Sequence, residues 1–196
     1  MRFAATFSHG LFASLLLAGG LAHAALQPGD AAPDFEAEAA LAGKGYTFQL
    51  KAARQAGPVV VYFYPSAYTN GCNIQAHSFA TQLDAFKAAG ASVVGVSLDS
   101  IGRLREFSAD PDYCAGKLSV ASDADGRIAK AFALNVREAP TGRKDSRGQD
   151  IDHGLAERTT FIVGKDGRIA ATVGGLSPIE NVEQALLAVQ QLAAKR

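Results

Sequence analysis

Two stretches of the chain are apolar without alternation. Residues 59–64 (VVVYFY) and 91–97 (ASVVGVS) are rich in β-branched and aromatic side chains, the composition of strands buried on both faces. Pro65 stops the first run, and a short loop follows at 66–71. Residues 72–89 then place Ile74, Phe79, Leu83 and Phe86 at roughly helical spacing, closed by Gly90. Downstream, Ser100 is set to cap a helix reaching about Ser108, with Leu104 and Phe107 on one face. A short strand is predicted at 118–121, a turn at 123–126 and a short helix at 127–132. Residues 159–163 and 169–173 form a hairpin around the tight turn Lys165-Asp166-Gly167, and 178–194 is a closing helix.

The remaining segments carry weaker signals. Residues 26–38 (LQPGDAAPDFEAE) form a polar, Pro-containing lead-in expected to be extended. Residues 46–50 alternate as a strand does, and Gly57-Pro58 punctuates the chain. Residues 136–156 form a long, polar, Gly-containing loop, expected as a solvated excursion. Strands and helices alternate in the first half and a hairpin closes the second. That order predicts one three-layer α/β domain, with parallel strands joined by crossovers and an antiparallel edge.

The N-terminus changes the picture of where the protein works. Arg2 precedes an apolar stretch at 10–21 and then Ala22-His23-Ala24, a small-x-small pattern. This is the order of a secretory signal peptide, so residues 1–24 are expected to be cleaved and 25–196 to form the mature domain, exported to a compartment such as the bacterial periplasm. An uncleaved anchor is the alternative, and no later segment is apolar enough to span a bilayer. With 19 basic and 19 acidic residues and no basic stripe, nothing points to nucleic acid. The two cysteines, Cys72 and Cys114, are too few for a disulfide scaffold. His77 and His153 do not stand at ligand spacing with either, so no metal site is expected, and no cofactor motif is present.

The chemistry concentrates in residues 62–72 (YFYPSAYTNGC). A buried strand delivers the chain to the edge of a sheet, and Cys72 follows in the first turn of a helix. Free backbone N–H groups and the helix dipole favour an anion there, and a thiolate is such an anion. On the residues alone, the less favoured alternative for Cys72 is a buried structural thiol or half of a permanent disulfide. Tyr62 and Tyr64 are read as sheet packing, and Gln75 and His77 as solvated helix positions.

That segment, with Pro65, Thr69 and Cys72 in a Pro…Thr-x-x-Cys order, resembles the peroxiredoxin active-site motif, and most of all the PrxQ or bacterioferritin-comigratory subgroup. The likeness extends in order through GDAAPDF at 29–35, VSLDS at 96–100, SDADGRIAKAF at 122–132, and RTTFIV at 158–163 followed by Asp166-Gly167. It implies a thioredoxin-like three-layer α/β/α sandwich with a mixed central sheet and a peroxiredoxin-type N-terminal extension. It also implies a thiol peroxidase that acts on hydroperoxides and is recycled by a thiol reductant, as a monomer or weak dimer. By position, Cys72 is then the peroxidatic nucleophile. Thr69 holds the peroxide through its hydroxyl, Pro65 shields the sulfur from water, and Arg158 stabilises the thiolate and the charge developing on the peroxide.

The chain departs from the subgroup in two places. Many members carry Glu three residues after the nucleophile, where this chain has Gln75. Many carry a resolving cysteine five residues after it, where this chain has His77. The local disulfide is therefore impossible, and Cys114 is the remaining internal partner, in a Pro- and Gly-flanked segment just beyond the helix that follows the second strand. Two other functions compete: a thiol–disulfide oxidoreductase, against which stands the lack of a Cys-x-x-Cys pair, and a non-enzymatic domain of the same fold with a structural disulfide.

Overall fold

The computed structural model describes residues 25–195, and the signal-peptide reading of residues 1–24 lies outside them. A seven-stranded mixed sheet runs through the molecule in the order β2-β1-β5-β4-β3-β8-β9. Its centre is parallel: β3 (Val59–Phe63) pairs with β4 (Ser92–Ser97), which pairs with β5 (Ser119–Ser122). All five residues of β3 are buried, as an apolar run without alternation requires when both faces are covered. β8 (Thr159–Val163) lies antiparallel against β3 and carries β9 (Ile169–Gly174) at the edge.

Alternate residues of β3 feed two cores. Val60 and Tyr62 face a layer built by α2 (Asn70–Ala88), α3 (Ile101–Ala109) and α5 (Pro178–Ala194), which contribute Phe79, Phe86, Leu104, Phe107, Val182 and Val189. Val59, Val61 and Phe63 face the other layer, with Leu50 of α1 (Leu50–Ala56) and Ile128 of α4 (Arg127–Ala131). The expected three-layer α/β/α sandwich is present, and among the described residues no helix is long and apolar enough to cross a membrane.

Three segments differ from the sequence expectation. The lead-in is extended as expected where it enters β1 (Glu36–Leu41), but its pairing was not foreseen: β1 lies antiparallel to both β2 (Lys44–Gln49) and β5. Ala and Glu have weak strand propensity, yet Ala37 and Ala39 are buried while Glu36 and Glu38 are exposed, so neighbours on both sides impose the strand. α1 was not predicted, because only Leu50 of its seven residues is buried and no apolar stripe announces it. The loop at 136–156 is more than a solvated excursion. It contains a two-residue ribbon, β6 (Val136–Arg137) with β7 (Leu155–Ala156), and it buries Asp145, Ile151 and Leu155.

One glycine in the central sheet is dictated by an aromatic neighbour. Tyr62 on β3 is paired with Gly95 on β4, and a Cβ at Gly95 would fall 2.5 Å from the phenol oxygen of Tyr62. The ring needs that space because it is stacked on Phe79 of α2 at a centroid distance of 4.4 Å. Gly95→Ala is expected to lower stability by about 1–3 kcal/mol through overpacking, and urea denaturation checks it by a lower midpoint at unchanged slope.

Candidate active site

β3 ends at Phe63, and the chain crosses from the sheet to α2 in the six residues 64–69. This crossing is pinned almost atom by atom. The Ala67 N–H donates to Asp99 Oδ2 at 2.8 Å and the Ser66 hydroxyl to Asp99 Oδ1 at 3.0 Å. Arg103 Nη2 donates to the Ala67 carbonyl at 3.0 Å, and the Ser146 N–H to the Tyr68 carbonyl at 2.8 Å. Tyr68 takes a positive φ of 58°, a conformation that a bulky residue holds only when its surroundings over-determine it. The Arg147 guanidinium covers its ring at 3.3 Å from the centroid.

Asp99 is the hub of this pinning. It stands fully buried between β4 and α3, accepts a third hydrogen bond from Ser97 Oγ at 2.7 Å, and pairs with Arg103 Nε at 2.9 Å. His153, from the long loop, brings Nε2 to 2.9 Å from Asp99 Oδ1, while its Nδ1–H donates to the Gly154 carbonyl. Burial alone would raise the Asp99 carboxyl. The His153 hydrogen bond and charge, with the Ala67 and Ser97 donors, outweigh it and hold the group below the usual carboxylate value. Burial alone would likewise lower His153, and the Asp99 hydrogen bond and charge raise it instead.

The helix start presents the sulfur. Thr69 is the N-cap residue in an extended conformation, and the Asn73 N–H to Thr69 carbonyl bond opens the helical series. The N–H groups of residues 70–72 precede that bond and lack helical partners. α2 thus starts two residues earlier than the sequence indicated, and Cys72 still lies in its first turn. The Thr69 hydroxyl does not cap the helix; it donates back to the Ser66 carbonyl at 2.8 Å. Pro65 lies partly buried at the bend where β3 ends.

Arg158 arrives from the neighbouring strand. It immediately precedes β8, whose antiparallel pairing with β3 brings it across 86 residues to Cys72, and Nη2 donates to Cys72 Sγ at 3.3 Å. Gly71 eases the approach, because a Cβ there would sit 3.3 Å from Nη2 and the guanidinium would have to shift by a few tenths of an ångström. Cys72 is 2 % exposed, so the contact of its sulfur with the guanidinium is made largely out of water. Of the sequence-predicted residues, Pro65, Thr69, Cys72 and Arg158 are brought together here.

Cys114 belongs to the same core cluster as Cys72 but is not bonded to it; both are free and buried. Burial, with a smaller contribution from Asp110, pushes the Cys114 thiol up, so it rests protonated. Its segment is held by the Tyr68–Tyr113 edge contact at 5.7 Å and by His77, whose Nδ1 meets the Asp112 carbonyl at 3.0 Å. His77 is exposed as read from the sequence.

Gln75 corrects the sequence reading. It is fully buried, not solvated: Oε1 accepts from Arg158 Nη1, and Nε2 donates to Asn181 Oδ1 at 2.9 Å. Asn181 and Thr160 were not anticipated. The signal for Asn181 was a polar residue inside the buried 181, 185, 189 stripe of α5. Asp99, Arg103, Asp145 and His153 were also missed as a group, since charges spread over three segments look like ordinary surface residues until the fold gathers them.

A buried thiol at a helix N-terminus, touched by a guanidinium on a thioredoxin-like sandwich, defines a thiol-based peroxidase. The chain belongs to the AhpC/TSA family, whose model matches residues 28–172. A Mycobacterium tuberculosis relative classed as a peroxiredoxin is 33 % identical over 144 residues, covering 74 % of this chain and 82 % of that one. Peroxiredoxin Bcp of Escherichia coli K12 is 33 % identical over 111 residues, 57 % of this chain and 64 % of its own length. The crystal structure of peroxidoxin BcpB from Mycobacterium tuberculosis superposes with a TM-score of 0.70 at 26 % identity, covering 85 % of this chain and 98 % of that one. The resemblance to the Bcp and peroxiredoxin Q branch therefore holds, and with it the thiol peroxidase class.

The Asp99–His153 pair sets a pH dependence. The raised His153 contributes fully below about pH 6.5, and its contribution fades as pH rises through its folded value. The lowered Asp99 contributes fully above about pH 3.8 and fades as pH falls. Denaturant melts at pH 6 and pH 9 are expected to show a loss of stability on the alkaline side in the wild type that is smaller in His153→Gln.

Proposed function

We propose that Cys72 is the peroxidatic nucleophile and that Thr69, Pro65 and Arg158 serve it directly. The observation that carries this reading is the Arg158 Nη2–Cys72 Sγ contact at the start of α2. A positive guanidinium on the sulfur and the unpaired N–H groups of the same helical turn stabilise negative charge there, and they remain fixed as charge develops. The Thr69 proton is committed to Ser66, so the hydroxyl oxygen is free to accept the peroxide O–H. The thiolate attacks the terminal oxygen in line, the O–O bond breaks, and the leaving oxygen departs as water or alcohol after taking a proton. Cys72 is left as a sulfenic acid.

Resolution is assigned to Cys114. Its thiol attacks the sulfenic sulfur, a disulfide forms and water leaves; an external dithiol then supplies two electrons and two protons to restore both thiols. A disulfide requires the Cα atoms within about 7 Å and suitably directed side chains. Both sulfurs are buried, so the 110–116 segment and the start of α2 must loosen first. Ala115, at a φ of 53°, is a strained position in that segment and favours its release. The reading extends to an exported protein acting as a monomer or weak dimer, supported by the residue order of the signal segment and by the family resemblance.

Cys72→Ser is expected to abolish hydroperoxide consumption, while Cys114→Ser permits a single turnover and stops recycling by dithiols. Arg158→Met should slow peroxide reduction by about 10²–10³-fold. Mass spectrometry after one equivalent of peroxide, with alkylation of free thiols, separates sulfenate from disulfide; a fully active Cys72→Ser protein would reject the assignment.

A further inference from the structure

We propose that Asn181 and Thr160 are positioning residues that hold Arg158 through Gln75 by a relay of uncharged groups, leaving the guanidinium charge to Cys72 and the incoming peroxide. The inference rests on Cys72 being the reactive thiol. It goes beyond that reading because it concerns two residues with no contact to the sulfur.

The direction of every bond in the relay is determined by its ends. The Val173 carbonyl on β9 can only accept, so Asn181 donates to it through Nδ2 at 3.0 Å. The Asn181 Oδ1 is thereby turned inward, where it accepts from Thr160 Oγ1 at 2.6 Å and from Gln75 Nε2 at 2.9 Å. Gln75 must then present Oε1 to Arg158, whose guanidinium can only donate. One end only accepts and the other only donates, so each amide has a single consistent orientation.

Gln75, Thr160 and Asn181 are all fully buried, so water does not compete for these bonds. The three residues come from α2, β8 and α5, and the relay ties the cation to the two elements that flank it. Among the described residues no carboxylate lies within 4.0 Å of Arg158. A carboxylate in place of Gln75 would hold the guanidinium as well but would partly cancel its charge, and its second oxygen would face Asn181 Oδ1, acceptor against acceptor. Among the described residues, the titratable groups packed in the same core are Tyr62 on β3 and Cys114; burial keeps both protonated, so they add no charge.

The test is the pH profile of Cys72 alkylation by iodoacetamide, in a Cys114→Ser background so that one thiol reports. Asn181→Leu frees the Gln75 amide to turn its NH₂ toward Arg158, and Gln75→Glu inserts the charge while keeping the shape. For both, alkylation at pH 6.5 is expected to fall about threefold to tenfold, with the profile displaced to higher pH and the high-pH plateau unchanged. A merely structural role would change melting without displacing the profile. If Asn181→Leu fails to fold, the isosteric Gln75→Glu profile decides. Profiles of the folded variants that coincide with the parent would overturn the relay. Alkylation needs no peroxide: a parent that alkylates normally and never forms sulfenate would overturn the peroxidase roles of Cys72 and leave the relay to stand or fall on its own profiles.

Discussion

The Arg158 guanidinium rests on a buried sulfur, and that contact holds only if the cation is itself held still. Everything distinctive about this site follows from that constraint. Arg158 meets Cys72 at 3.3 Å where water is nearly absent, so the attraction is strong and a small displacement of the guanidinium would weaken it markedly. The fold meets the requirement from two directions. Antiparallel pairing of β3 with β8 delivers the arginine, and the N-terminus of α2 delivers the sulfur.

Two polar networks support the site, and they differ in kind. Behind the arginine, Gln75, Asn181 and Thr160 are all neutral. Beneath the 65–69 crossing, Asp99, Arg103, Asp145, His153 and Arg147 form a dense set of charges, with Arg103 Nη2 at 2.6 Å from Asp145. The charged set fixes backbone, through Ser66, Ala67 and Tyr68, and the neutral set holds the cation that touches Cys72. Keeping carboxylates in the charged set and out of the neutral one prevents them from competing with the Cys72 sulfur for Arg158.

The second cysteine sits in tension with this rigidity. Cys114 is sealed in the same core as Cys72, and Tyr68 and Tyr113 meet edge-on between the two segments. Tight packing keeps the Cys114 thiol protonated. With this packing, the proposed joining of the two sulfurs would be a conformational event, and the strained backbone at Tyr68 and Ala115 marks where the structure can yield.

The strand–loop–helix carrying Cys72, the two-sided burial of β3 and β4, and the closing hairpin were legible from residues 59–97 and 159–173, because uninterrupted apolar runs and tight turns are local signals. Cys72 was legible as a candidate from its place at the start of a helix after a buried strand, whereas Thr69, Pro65 and Arg158 became candidates only through the resemblance to the peroxiredoxin motif. The strand character of β1 was not, since Ala and Glu became a strand only between β2 and β5. Neither was the burial of Gln75, nor its link across 106 residues to Asn181. A side chain's partners depend on which elements the sheet order and the helix layers bring together. Local patterns along a chain determine where strands and helices form, whereas the environment of a polar residue is decided only when distant segments close around it.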